Sequence, residues 1–275
     1  MSVLPVSLIV LTYNEAANIA RCLDSANFVA EKIVVDCGST DETCDIAREH
    51  GARVVEQDWL GFGAQRNFAS TLAAHDWILA LDADEALSPE LARELELGLP
   101  ALLKSAAAAG VLYRTARFMG RPLRWYRPMV RERKARLYHR ARARWSDVRV
   151  HESLRYDGAE HIFHGPLLHD LNPTLVHHQL KSLRYAELKA LDWREHSRAS
   201  SPWGWPFVFG LTFLKDYLLR LAFLDGARGW AVAWMAADYA LYKRLRYYEM
   251  QHFGPSVEMA RSALRDHGLE REESV

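Results

Sequence analysis

The chain has 275 residues, of which 49% are hydrophobic and 25% are charged, which is ordinary for a globular enzyme. This length indicates one large domain, or one domain with an appendage. With 35 basic and 35 acidic side chains the formal net charge is zero, so the overall charge gives no indication of nucleic-acid binding.

The first hundred residues alternate between short apolar runs, typical of buried strands, and longer patterns typical of helices. Ser39 and Glu42 have the spacing of a capping box, and Ser88-Pro89 is a second helix start. Strand-helix alternation predicts a parallel sheet with right-handed crossovers and helices on both faces. The predicted strands are Val6–Leu11, Ile33–Val35, Arg53–Glu56 and Trp77–Leu81.

Polar clusters follow three of these predicted strands, at residues 12–15, 36–41 and 82–85. In open α/β sheets, ligands bind beyond the carboxyl ends of the strands. We therefore expect the three clusters to converge on one crevice.

The most informative cluster contains Asp82 and Asp84, two carboxylates separated by one residue after an apolar run. Burying unpaired carboxylates is costly, whereas hard divalent cations prefer oxygen ligands. Mg²⁺ is commonly held by one or two carboxylates together with substrate phosphates. This strand end therefore predicts a site for a metal that carries a phosphorylated ligand.

The pattern changes after Gly110, where short apolar pieces alternate with basic and proline-containing segments. These pieces are Val111–Tyr113, Arg136–Tyr138 and Val148–His151. Residues 114–149 contain 13 Lys or Arg and two Asp or Glu. A solvated basic face explains such a run, and so does an anionic partner.

The last third of the chain is helical in pattern, with a hairpin predicted around Asp225-Gly226. Its aromatic helices are interrupted by charges, which argues against a membrane span and favours either ordinary packing or an interfacial position. The amino-terminal residues are typical of a first strand rather than a signal peptide, and the three cysteines lack metal-ligand spacing. These features predict free thiols in a reducing cytosol.

Four motifs together resemble family 2 glycosyltransferases with the GT-A fold: Thr12-Tyr13-Asn14-Glu15, Asp36–Asp41, Gln65-Arg66-Asn67 and Asp82-Ala83-Asp84-Glu85. The finer resemblance is to the subgroup that adds a β-linked glucose to the inner core of bacterial lipopolysaccharide. It is carried by Gly61–Asn67, Val150-His151-Glu152 and Phe223–Gly226.

The resemblance implies an α/β fold, with a GT-A domain (Rossmann-like, mostly parallel sheet) followed by a C-terminal helical region. The GT-A domain is expected at residues 1–170, with a nucleotide-sugar half at 1–115 and an acceptor half at 116–170. A helical region, either membrane-interfacial or packed as core, is expected at 171–257 and a polar tail at 258–275.

The resemblance also implies a nucleotide-diphosphate sugar donor, UDP-glucose in this subgroup, and Mg²⁺ or Mn²⁺ as cofactor. The implied donor-binding residues share the strand-end motifs and the helix after Gly61–Gly63; they are Thr12, Tyr13, Asn14, Glu15, Asp36, Arg66, Asn67 and Asp82. Asp84 is the implied metal ligand. Many relatives carry a second acid where this chain has Cys37, and a thiol offers no carboxylate acceptor.

The implied reaction is a single in-line displacement that inverts the anomeric centre. An acceptor hydroxyl must lose a proton during the attack, so a carboxylate base is needed within hydrogen-bond reach. The resemblance indicates Glu152 as that base, with Asp147 as the runner-up. His151, His164 and His169 are interpreted as satisfied polar residues rather than metal ligands, and His169 could orient a loop near the acceptor.

The function expected is transfer of a hexose to an anionic, lipid-linked lipopolysaccharide acceptor, by a peripheral protein at the cytoplasmic face of the inner membrane. Two alternatives stay open. One is transfer to a polyprenyl phosphate, and the other is a nucleotide-sugar-binding scaffold without catalysis. No nucleic-acid partner is expected.

Overall fold

A computed structural model describes residues 3–146, 153–170, 174–196, 204–253 and 262. The chain divides into two compact units, one chiefly of residues 1–115 and 131–169, the other of residues 116–130 and 170–273. Asp147, Glu152 and the short apolar piece Val148–His151 lie outside the described residues.

The first unit is built on a mixed β-sheet. The strands are β1 (Leu4–Thr12), β2 (Val29–Asp36), β3 (Arg53–Glu56), β4 (Trp77–Asp82), β5 (Glu85–Leu87), β6 (Ala109–Phe118), β7 (Arg121–Pro122), β8 (Glu132–His139), β9 (Ala143–Trp145), β10 (Leu154–Tyr156) and β11 (Glu160–Asp170). The spatial order of the sheet is β3-β2-β1-β4-β8-β6-β11-β5. Strand β7 pairs with the end of β6, while β9 and β10 form a separate antiparallel pair.

Strand direction changes in the middle of the sheet. The pairs β3-β2, β2-β1 and β1-β4 are parallel, which agrees with the predicted alternation of strands and helices. From β4 onward the pairs β4-β8, β8-β6 and β11-β5 are antiparallel. The predicted α/β class is confirmed, and the four strands that come first in the chain are joined by parallel pairs.

Strand β1 is buried on both faces, as its continuous apolar run predicts. Val6, Leu8 and Val10 belong to one hydrophobic cluster, whereas Ile9 and Leu11 belong to another on the opposite face. Helices cover both clusters because each presents an apolar stripe to the sheet. They are α1 (Ile19–Asp24), α2 (Thr43–Glu49), α3 (Phe62–Leu72) and α4 (Pro89–Leu102).

The two predicted helix starts have different outcomes. Ser88 caps α4, since its Oγ accepts a hydrogen bond from the Leu91 amide at 3.1 Å. The predicted capping box at Ser39 and Glu42 is wrong, because α2 begins at Thr43 and the side chain of Glu42 makes no capping hydrogen bond. The Ser39 hydroxyl instead donates to Asp36 at 2.5 Å, because this loop is organised by the end of β2.

The second unit is helical apart from the end of β6, strand β7 and the last residue of β11. A π-helical turn at Lys215–Leu219 and a 3₁₀ turn at Ala222–Asp225 lead into its longest helix. The C-terminal helical region predicted from the sequence is confirmed. The α-helices are α5 (Arg127–Val130), α6 (Leu175–Glu195), α7 (Trp205–Leu214) and α8 (Gly226–His252).

Within the described ranges, no helix combines the length and the apolar character that a membrane crossing requires.

Candidate active site

Three predicted site residues lie at the same edge of the parallel sheet. The strand register pairs Thr12 with Asp36, and Leu11 with Asp82. The carboxyl ends of β1, β2 and β4 therefore meet, as expected for the ligand-binding edge of an α/β sheet.

Asp36 organises the loop that follows β2. Its buried carboxylate accepts hydrogen bonds from Thr12 Oγ1 at 3.0 Å and from the amides of Gly38 at 2.9 Å and Ser39 at 2.7 Å. Gly38 has φ +92°, in the left-handed region that favours glycine. Asp36 thus fixes the shape of the loop, and its contact with a base or ribose stays a prediction.

The loop after β1 is tied to the loop after β2. The Asn14 amide donates to Ser39 Oγ at 2.8 Å, and Asn14 Oδ1 accepts from the Thr40 amide at 2.8 Å. The Glu15 amide donates to Thr43 Oγ1 at 2.7 Å. Tyr13, next to these bonds, is half-buried. The two loops form one wall, so the predicted nucleoside-binding residues do come together.

Cys37 occupies this wall as a neutral thiol. Burial, reinforced by the charge of Asp36, raises the pKa of Cys37 to about 12. Its sulfur lies 3.4 Å from Nε2 of Gln65 on α3. A neutral thiol cannot replace the acid that many relatives have here.

Asp82 is bound by arginines from two other elements. Its carboxylate contacts Arg66 of α3 at 2.5 Å and also contacts Arg136 of β8. Burial alone would raise the pKa of Asp82, but the charges of Arg136 and Arg66 outweigh it and hold that pKa well below its usual range. Both oxygens of Asp82 therefore act as internal ion-pair acceptors.

Glu85 extends the same network beneath Asp82. Its side chain is fully buried, and its carboxylate lies 2.6 Å from Arg136 and 3.4 Å from Arg114. Glu85 Oε2 also accepts the amide of Asp82 at 3.1 Å. Three arginines and two acids thus lock the end of β4, because buried charges persist only when they are paired.

Asp84 has a different environment from Asp82. Its Oδ2 lies 3.1 Å from Nε2 of His169, and the Asp84 side chain is 21% exposed. His169 reaches this position because β11 pairs with β5, with His169 opposite Glu85. The two candidate metal residues of the Asp-x-Asp motif are therefore separated in role: one is paired with arginine, the other faces a histidine.

The Asp84–His169 pair fits a divalent ion. Two ligands at right angles, each about 2.0–2.1 Å from a metal such as Mg²⁺, lie about 3 Å apart. A carboxylate oxygen suits Mg²⁺ and Mn²⁺, and an imidazole nitrogen is a donor to divalent transition metals. No group of three or more His, Cys, Asp or Glu with metal-binding geometry occurs among the residues the structure describes.

Asn67 holds the strand that leads toward Glu152. Its Nδ2 donates to the carbonyl of Trp145 at 3.0 Å, and its Oδ1 accepts the Trp145 amide at 3.1 Å. The guanidinium of Arg66 lies 4.5 Å from the centre of the Trp145 ring. Arg66 and Asn67 thus position β9 in this structure, and their contacts with the donor stay predictions.

The segment that carries Asp147 and Glu152 lies outside the described residues, but its two ends are described. The Ser146 amide donates to the Ser153 carbonyl at 3.0 Å, so the ends lie side by side. Ser153 lines a cavity of about 390 Å³ that is also lined by Asp82. The residue next to Glu152 therefore faces the same cavity as the end of β4.

Two residues of this site, His169 and Arg136, are not predicted as metal-site or network residues by the sequence, in which His169 is interpreted as a satisfied polar residue. His169 lies on a strand that contains Gly165 and Pro166 and shows no clear alternation, so no local signal predicts β11. Arg136 was counted within a basic run that looks like a solvated face, yet its side chain is only 5% exposed. The positions of His169 and Arg136 in the site become visible only from the strand pairing.

The model of the glycosyl transferase family 2 matches residues 7–152. A lipopolysaccharide core biosynthesis glycosyltransferase, LpsC of Rhizobium meliloti, is 32% identical over 259 residues, covering 90% of this chain and 93% of that protein. The chain belongs to glycosyl transferase family 2. Its mixed sheet and strand-end site agree with the GT-A fold of the resemblance.

Other proteins match this chain over shorter stretches. An uncharacterized glycosyltransferase of Rickettsia felis is 51% identical over 92 residues, which is 33% of this chain and about a third (32%) of that protein's length. Glucosyl-3-phosphoglycerate synthase of Mycobacterium tuberculosis, solved with Mn²⁺ and UDP, is 26% identical, with a TM-score of 0.33 over 41% of this chain and 44% of that one.

Proposed function

We propose that this family 2 protein is an inverting, metal-dependent hexosyltransferase that uses a UDP-linked sugar, UDP-glucose, as donor. Its acceptor is an anionic, lipid-linked saccharide of the lipopolysaccharide inner core, reached at the cytoplasmic face of the inner membrane. The observation that carries the proposal is the Asp84–His169 pair at 3.1 Å beside the strand ends of the family motifs.

Asp84 and His169 hold the divalent metal in this proposal. A divalent ion held by these two side chains would supply positive charge against the negative charge that develops on the departing diphosphate. The loops after β1 and β2 bind the nucleoside, and their hydrogen bonds to each other keep that surface preformed. A preformed binding surface loses little entropy when the donor binds.

Arg66 has two possible partners at this site. In the structure it pairs with Asp82, while Arg136 contacts the same carboxylate. Because Arg136 keeps Asp82 paired, Arg66 can turn toward a diphosphate without leaving that acid as an isolated charge. A guanidinium that is aimed at the leaving group stabilises charge where it develops.

Glu152 is the proposed base, and its neighbour Ser153 supports this role by lining the cavity with Asp82. Glu152 would take the proton of the acceptor hydroxyl as that oxygen attacks the anomeric carbon from the face opposite the diphosphate. A single displacement gives a β-linkage from an α-linked donor.

The acceptor class is supported by the LpsC match, which runs over 90% of this chain. Arg133 and Lys134 line the cavity beside Asp82, where they pair with Glu160 and Glu132, and an anionic saccharide would exchange with those acids as their partner.

A transfer assay tests the proposal. UDP-glucose, Mn²⁺ and lipopolysaccharide from a strain lacking this protein should give a β-linked product with the wild type. Glu152→Gln should reduce turnover by about 10²–10⁴-fold, the range of general base catalysis. Glu49→Gln, at an exposed position on α2, serves as the control.

Two results would contradict the proposal. Transfer to a polyprenyl phosphate but not to lipopolysaccharide would change the acceptor class. Donor binding without turnover on any acceptor would indicate a scaffold.

A further inference from the structure

Helix α7 and the turns after it expose an unusual amount of apolar surface. Phe207, Leu211, Leu214 and Leu218 are 68%, 65%, 51% and 49% exposed. Their spacing places them along one face of a helix. A row of large apolar side chains in water marks an interaction surface rather than a random feature of a protein exterior.

The opposite face of the same helix is packed. The Phe209 ring lies 4.8 Å from the ring of Trp234, and Phe213 contacts Trp230 and Trp234. Helix α7 is therefore anchored on α8 through one face, and the exposed face is left for a partner.

A cationic cavity lies at the end of this apolar segment. It has a volume of about 410 Å³ and is lined by Arg121, Arg124 and Arg228, together with Trp125 and Leu224. Leu224 belongs to the 3₁₀ turn that continues from the exposed leucines. Trp125 is 52% exposed, so an indole, three guanidinium groups and an apolar surface adjoin one another.

Three arginines and one acid line this cavity, so its positive charges outnumber its negative ones. The carboxylate of its one acid, Asp225, accepts the amides of Arg124, Trp125 and Tyr126 at 2.8–3.0 Å. Among the described residues, Arg121 and Arg124 form no ion pair. The acid within the apolar segment, Asp216, is buried and bonded to Arg220 at 2.7 Å.

The structure also fixes one arginine of the cavity. Nη1 of Arg228 donates to the carbonyls of Arg121 at 3.1 Å and Pro122 at 3.4 Å, so the strand β7 and the start of α8 are held together. The cavity is thus a built feature of this unit.

We propose that this cavity binds the phosphate of an anionic membrane lipid, while the Phe207–Leu218 face enters the headgroup region of the bilayer. Arginine binds phosphate through paired N–H donors, and tryptophan is enriched at membrane interfaces. A helix of this kind lies in the interface plane and needs no membrane-spanning length. This proposal specifies which surface binds the membrane named in the proposed function, and so it rests on that function.

Vesicle sedimentation tests the site without any turnover. The full chain is mixed with vesicles of phosphatidylglycerol and phosphatidylcholine, or of phosphatidylcholine alone. The wild type should bind the anionic vesicles more tightly. Arg121→Gln with Arg124→Gln should weaken that binding about thirtyfold, because each basic side chain near an anionic surface adds about 1 kcal/mol.

The matched control removes the same charge elsewhere. Arg48→Gln with Arg93→Gln changes two exposed arginines on α2 and α4 and should bind the anionic vesicles as the wild type does. Leu211→Ser should also weaken binding and leave the oligomeric state unchanged.

Several outcomes would overturn the proposal. Equal losses of vesicle binding in the two double variants would show that overall charge, and not the cavity, attracts the membrane. Tight binding of inorganic phosphate without vesicle binding would indicate a soluble ligand. A dimer that Leu211→Ser dissociates would assign the apolar face to a second copy. If vesicle binding fails while sugar transfer in detergent persists, this inference falls and the proposed function stands.

Discussion

Nε2 of His169 lies 3.1 Å from Oδ2 of Asp84, although 84 residues separate them along the chain. Asp82, two residues before Asp84, is instead paired with Arg66 and Arg136. The two acids of one short motif thus have different partners: Asp82 belongs to the internal charge network, and Asp84, which faces His169, is the acid we propose as the metal ligand.

The buried network should make Arg136 important for stability. Arg136→Gln leaves the fully buried Glu85 with a weakened partner, which should lower the free energy of unfolding by about 3–5 kcal/mol. Urea denaturation measures this change. Arg133→Gln is the control, because Arg133 is 53% exposed and its pair with Glu160 should contribute no more than about 1 kcal/mol. Similar losses in both variants would contradict the network.

Asp82 should contribute to the way the free energy of unfolding depends on pH in acid. Its pKa is depressed in the folded state, so its contribution is present above the unfolded value of about 3.9 and is lost as pH falls below it. Asp82→Asn should therefore flatten the dependence of unfolding free energy on pH below about pH 4. Urea titrations at several acidic pH values give the slope. An unchanged slope would show that Asp82 titrates normally.

Asn67 should act by positioning the segment after β9. Asn67→Ala removes both hydrogen bonds to the Trp145 backbone, and a shift of about 1 Å in a catalytic segment can cost about 10²-fold in rate. We expect kcat to fall while the KM for the donor changes little. Asn27→Ala, at an exposed amide bonded to Lys32, is the control. A rise in donor KM alone would instead favour direct contact of Asn67 with the donor.

The Cys37 thiol should react slowly with iodoacetamide. Because burial raises its pKa to about 12, the reactive thiolate is scarce at neutral pH. Alkylation mapped by mass spectrometry should keep accelerating as pH rises above about 8.5, the ordinary thiol value. A rate that levels off near that pH would contradict the neutral thiol in the wall of the site.

The sequence predicted the parallel half of the sheet well because its signals are local. The apolar runs ending at Thr12, Asp36 and Asp82 define β1, β2 and β4, and the polar residues that follow them mark the strand ends. The clustering of those residues then follows from parallel pairing. Ser88 was predicted as a cap by the same kind of local pattern, and the structure confirms it.

The antiparallel half could not be predicted in the same way. His169 reaches Asp84 through the pairing of β11 with β5, which is a long-range contact without a sequence signal. Arg136 is buried because Asp82 and Glu85 neutralise it, and a basic run read alone looks exposed. Ser39 failed as a cap for a similar reason, since its hydroxyl donates to Asp36 and accepts the Asn14 amide.

The central claim is that Asp84 and His169 together hold a divalent ion that binds the donor diphosphate. Calorimetric titration of UDP with and without Mn²⁺ tests it most directly, comparing the wild type with His169→Gln and with His164→Gln, an exposed histidine on the same strand. The account predicts that Mn²⁺ tightens UDP binding in the wild type and in His164→Gln, and that His169→Gln loses most of this gain. Equal Mn²⁺-dependent tightening in all three proteins would contradict it.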